Sequence, residues 1–194
     1  KHMPSTNHLI IGIFNQPLDS WNVGQVSDMR NIFGSASAFD TGKVSAMSDM
    51  FYKAYAFNQP LDTWNVGNVS AMDGMFFVKA YAFNQPLDSW NVGNVSAMDG
   101  MFTKAYAFNQ PLDNWNVGKV SKMGGMFNGA TVFNQYLGTW AGKTPANVNT
   151  DNMFLNSGCT NKGTPNQNVG PWCQTAKQVP SHQARYQVKV PVRD

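Results

Sequence analysis

The twenty residues from Phe83 to Phe102, FNQPLDSWNVGNVSAMDGMF, occur almost unchanged from Phe57 and again with small changes from Phe108. A chain that repeats itself this closely is built from one local unit used many times. The opening Phe falls at Phe14, Phe57, Phe83, Phe108 and Phe133. The Trp seven residues on falls at Trp21, Trp64, Trp90, Trp115 and Trp140. The unit is 25 residues long, or 26 where Phe77-Val78 adds one. A shortened unit runs from Phe39 to Ala56, with FDTGKV where W-N-V-G-x-V stands elsewhere. It lacks seven residues resembling FNQPLDS. A tightened or distorted coil is therefore expected there, entered near Ala38.

Each unit divides into three parts. LDSWNVGNV has apolar residues at Leu87, Trp90, Val92 and Val95. Trp90 and Val92 are two apart and share one face of a predicted strand, so Ser89 and Asn91 face the other way. SAMDGMFTKAYA follows, with Met98, Met101 and Phe102 on one stripe of a short predicted helix. Ser96 with Asp99, and Ser70 with Asp73, read as capping boxes. FNQP then turns the chain back, and its Pro stops any helix. One such unit cannot bury its apolar face alone, but stacked units can, Trp on Trp, Met on Met and Phe on Phe. The Trp column shares its face with Val and reads as core, not as an exposed sugar platform. The Met pairs, Met72 with Met75 and Met98 with Met101, read as core as well. The expectation is an α/β repeat solenoid, leucine-rich-repeat-like, with a parallel sheet on one face, short helices on the other and about six coils.

The pattern L-x-x-W-x-V-x-x-V is close to the leucine-rich-repeat template. With W-N-V-G-N-V-S-A-M-D-G-M-F and A-F-N-Q-P-L around it, the unit resembles the 25–26-residue BspA-type repeats of bacterial and mycoplasma surface proteins, over Phe14 to about Phe154. The resemblance implies a secreted or surface-exposed repeat protein. Val69, Val95 and Val120 stand where ordinary leucine-rich repeats carry an Asn ladder. The Asn and Gln of the FNQ turn are the candidates to replace it.

Composition narrows the function. Charged residues are 13% of the chain, about half the usual share. All eleven acidic residues are Asp, which disfavours long surface helices. The net charge is +3 with no dense basic run, so nucleic acid is not an expected partner. No apolar stretch approaches the roughly 20 residues of a membrane span. Only three histidines, His2, His8 and His182, are available beside the two cysteines, which argues against a Cys/His zinc site. Cys159 and Cys173 instead read as a disulfide closing a small loop, which points to an oxidising compartment. Residues 1–13 read as a tag remnant, Lys1-His2-Met3, and an N-terminal cap; 14–156 as the solenoid; 157–194 as a disulfide-closed cap and tail. RYQVKVPVRD at the end reads as an extra strand, or as a disordered or a vector-derived end.

No catalytic constellation, phosphate loop or metal-spaced pair appears, so neither an enzyme nor a cofactor is expected. The candidate binding surface is the outward face of the predicted strand. Its centre is Asn65, Asn91 and Asn116, flanked by Asp62, Asp88 and Asp113 and by Asn68, Asn94 and Lys119. The Asp column reads either as turn-opening residues or as a cation site. The expected role is an extracellular or cell-surface adhesion module that binds a protein through this face. A repetitive polysaccharide, with or without Ca²⁺, is the alternative ligand, and a passive spacer is a third reading.

Overall fold

Where the spacing predicts a helix, the chain makes tight turns, and a left-handed residue, Gly in three of the five described units, is the reason. In a computed structural model, which describes residues 41–78, 80–166, 168 and 172–174, the N–H of Met75 bonds the carbonyl of Met72 at 3.2 Å. Gly74, the third residue of that turn, has φ +58°. Gly100 and Gly125 take the same place in the next units, both at +62°. Left-handed φ at the third position is the requirement of a type II turn, and Gly meets it without steric cost. A second left-handed residue follows four positions on, at Lys53, Val78, Lys104, Gly129 and Asn156. Two left-handed residues within one run of seven leave no room for an α-helix.

Alternate N–H groups of this stretch reach the next unit. Met72 donates to Ala97, Gly74 to Asp99, Phe76 to Met101 and Val78 to Thr103, at 2.8 to 3.0 Å. The N–H groups between them, of Met75 and Phe77, close turns within the unit. The peptide groups therefore lie along the stack, accepting from the unit before and donating to the unit after. Isolated parallel bridges Ala46–Ala71, Ala71–Ala97, Ala97–Lys122 and Lys122–Asn149 run through the same stretch and join five consecutive units.

The predicted strand is also absent. LDSWNVGNV closes on itself through Trp90 N–H to Leu87 O at 3.1 Å and Val95 N–H to Val92 O at 2.9 Å. Those donors are satisfied locally, so no ladder can form through them. Among the described residues there are two 3-10 turns, Thr41–Lys43 and Gly138–Trp140, and no α-helix or strand. The expected leucine-rich-repeat-like solenoid of parallel sheet and short helices is overturned. What stacks is a coil of turns.

The inward pattern holds all the same. Trp64 and Trp90 are 3% exposed and Trp115 is fully buried. Trp64 stacks on Trp90 at 6.5 Å between centroids, and Trp115 on Trp140 at 6.4 Å. One Phe column runs from Phe51 through Phe76, Phe102 and Phe127 to Phe154, in steps of 5.1 to 5.8 Å. A second, Phe57, Phe83, Phe108 and Phe133, packs against it at 3.9 to 4.3 Å. Indole N–H groups tie the units together, Trp90 to the carbonyl of Leu61 and Trp115 to that of Leu87, both at 2.8 Å. The methionines Met72, Met75, Met98 and Met101 are fully buried beside them.

The C-terminal end is closed by a cap. Cys159 and Cys173 form a disulfide, and Trp172 packs edge-on against Trp140 at 6.0 Å. Gly158 lies so close to the preceding unit that a Cβ there would meet Thr131 O at 2.6 Å. The shortened unit carries a 3-10 turn, Thr41–Lys43, where its neighbours have V-G-x, and joins the next unit by the ordinary rungs from Met47 on. Its entry near Ala38 lies outside the described residues. So do the tag remnant, the N-terminal cap, the first unit at Phe14–Trp21 and the terminal RYQVKVPVRD.

Candidate functional site

The outward columns are regular because each is tied to its own backbone or to the next unit. Asn65, Asn91 and Asn116 alternate with buried Trp and Val and are exposed. The side-chain oxygen of each accepts the N–H two residues on, from Gly67, Gly93 and Gly118, at 3.1 to 3.2 Å. This Asx-turn bends the chain where a strand was expected. Each carboxamide is thereby held in place on the exposed face.

The flanking columns differ from one another. Asn94 donates to Gly67 O at 2.7 Å, Asn68 donates to Gly42 O, and Lys119 donates to the Asn94 side chain at 2.7 Å. They form rungs across the surface. On the other flank Asp62 and Asp88 are exposed while Asp113 is buried. The main-chain carbonyls of Asp62 and Asp113 bind the next unit: Ser89 donates to Asp62 O at 3.2 Å and Thr139 to Asp113 O. Among the described residues no three His, Cys, Asp or Glu side chains stand together as a metal cage.

The FNQ turn supplies the ladder that Val69, Val95 and Val120 do not. Asn84 accepts from the N–H of Asn109 at 2.9 Å and from the Gln110 side chain at 3.0 Å, and the same pattern joins Asn58 to Asn84 and Asn109 to Asn134. This column is half-buried and structural.

The residues read as capping boxes do other work. Ser96 donates to Ser70 O at 3.2 Å, one unit away. Asp73 accepts from the N–H of Asp99 at 3.2 Å, and Asp99 from that of Gly124 at 2.7 Å. The column sets carboxylates near one another. Burial, then the charge of Asp73, raises the pKa of Asp49. Burial also raises that of Asp99; the Gly124 N–H opposes it, Asp73 adds to it and Lys122 opposes it. A raised carboxylate holds its proton in the folded state at pH values where the unfolded chain has released it. Stability should therefore fall as pH rises from the ordinary Asp range through the raised values. Asp73→Asn removes the shared repulsion while keeping one acceptor oxygen. Its denaturation midpoint should exceed the parent's at neutral pH, and its slope through the acid range should be flatter. An unchanged slope would show that the column does not couple.

A second feature escaped the periodicity. The tyrosine of A-Y-A-F repeats outside the core as Tyr55, Tyr81 and Tyr106. Its signal was present in the repeated A-Y-A that closes the segment read as a helix. A polar hollow at the last unit, lined by Asn149, Thr150, Asp151, Pro165 and Asn166, breaks the regular surface.

Geometry of this kind defines a stacked-repeat protein with a constant polar surface. The model of a family described as a Mycoplasma protein of unknown function, DUF285, matches residues 11–41, 36–140 and 76–172, and the chain belongs to that family. No curated protein and no solved structure matches it significantly.

Proposed function

We propose that this is a non-catalytic binding module, displayed outside the cytosol, whose exposed Asn face holds its ligand through weak contacts repeated from unit to unit. The observation behind this reading is the constancy of Asn65, Asn91 and Asn116, each exposed and each fixed by the same Asx-turn. The Cys159–Cys173 disulfide supports an oxidising compartment. A protein partner is one ligand class for an adhesion module. The near-identity of the columns favours a ligand that itself repeats, such as a polysaccharide, because irregular partners call for varied contacts. The narrower kinship with BspA-type surface repeats rests on the shared wording W-N-V-G-x-V-S-x-M, not on the α/β architecture that the spacing led one to expect.

The test replaces Asn65, Asn91 and Asn116 together with Ala. Parent and variant are compared on polysaccharide and protein arrays, with and without Ca²⁺, after circular dichroism confirms folding. Contacts linked along one chain multiply, so affinity should drop far more for three changes than for one. Unchanged binding by the triple variant would remove the Asn face from the site. Binding to neither array would leave the spacer reading in its place.

A further inference from the structure

Tyr81 and Tyr106 stack with centroids 4.9 Å apart and planes 14° from parallel. They are 38% and 40% exposed, so both phenol edges meet solvent. Tyr55 meets Tyr81 differently, edge-on at 60° and 6.0 Å. The next unit has Thr131 in this position, which ends the column. The pair is thus singled out: two phenols in corresponding places on adjacent units, face to face and open to an oxidant. The covered part of each side chain packs on the stack, which keeps the partners in register.

We infer that Tyr81 and Tyr106 are an oxidative cross-linking site, coupled to dityrosine by a one-electron oxidant such as a haem peroxidase with hydrogen peroxide. Each phenol loses one electron and its hydroxyl proton. The two phenoxyl radicals combine at ortho ring carbons, forming one C–C bond. The hydrogens on those carbons then move to the phenolic oxygens as the rings regain aromaticity. The pair loses two electrons and two protons in all, and one peroxide takes them up as two waters. The product covalently staples two units that otherwise hold by hydrogen bonds and packing. Coupling within the chain should outrun coupling between chains, because the local concentration of one ring at the other far exceeds that of dilute protein. The methionines of the stack are buried and shielded from the same peroxide.

The test exposes folded protein to peroxidase and limiting peroxide, then reads dityrosine fluorescence and the tryptic map. Lys79, Lys104 and Lys119 put Tyr81 and Tyr106 on separate peptides, 80–104 and 105–119, and Tyr55 on a third. The expected product is a monomer, lighter by two hydrogens, in which peptides 80–104 and 105–119 are joined. Its denaturation midpoint should lie above that of untreated protein. Tyr81→Phe and Tyr106→Phe, which keep the stacked rings, should each abolish the fluorescence, and Tyr55→Phe should leave it unchanged. Coupling only between chains, or spread evenly over the tyrosines, would overturn the proposal. So would an absence of dityrosine at a dose that couples free tyrosine.

Discussion

Replacing Trp90 with Ala should destabilise the protein by about 3–5 kcal/mol, the range for removing a large buried aromatic. Two losses combine at this position. The indole is 3% exposed and stacks on Trp64 at 6.5 Å, so its removal leaves a void in the middle of the column. Its N–H also serves the carbonyl of Leu61 at 2.8 Å, and that bond between units would be lost, leaving the carbonyl only the Trp64 N–H at 3.1 Å. A protein of ordinary stability has only about 5–15 kcal/mol in total. Contacts in the stack run between neighbouring units, so a fault at Trp90 separates the units before it from those after it. The denaturant midpoint should fall steeply, and the transition should broaden or split. Trp90→Phe keeps most of the packing but not the hydrogen bond, so its loss should be smaller. A Trp90→Ala midpoint close to the parent's would mean the Trp column is not what holds the units together.

Reducing the Cys159–Cys173 disulfide should cost about 3 kcal/mol, on the loop-entropy argument for a closure of this size. The bond joins residues 14 apart in sequence and secures Trp172 against the exposed end of the Trp column. Other contacts hold the same segment: Thr150 donates to Pro165 O at 2.6 Å, and Asn161 N–H to Cys173 O at 2.8 Å. The rungs from Met47 to Leu155 do not pass through the cap. Reduction should therefore lower the melting temperature while the far-ultraviolet spectrum at room temperature stays nearly unchanged. Cys159→Ser with Cys173→Ser should match the reduced protein. An unaltered melting temperature would assign closure of the stack to Trp172 and the hydrogen bonds alone.

The sequence by itself determined the unit, its length and its inner lining. Trp64, Trp90 and Trp115, the Met pairs and both Phe positions recur at one interval and are apolar, and burying them by stacking is the only economical outcome for so regular a chain. It also marked the outward positions, since Asn65, Asn91 and Asn116 lie between apolar neighbours. The cysteine pairing followed from there being only two. What it did not determine was how the backbone would satisfy its hydrogen bonds. Met98, Met101 and Phe102 have helical spacing, and Trp90 with Val92 has strand spacing, yet a tight turn can also bring such residues to one side. The decisive residues were Gly100 and Asn91. One supplies left-handed φ, and the other takes the N–H of Gly93 into an Asx-turn. Each is weak against a pattern of hydrophobic residues when read alone. In the stack they prevail, because the next unit offers carbonyls at Ala97, Asp99 and Met101 that meet every second N–H of Met72 to Phe76. Those carbonyls are 25 residues away, so no local reading could count them as partners. The Tyr81–Tyr106 stack was hidden for the same reason: it exists only when one unit lies against the next.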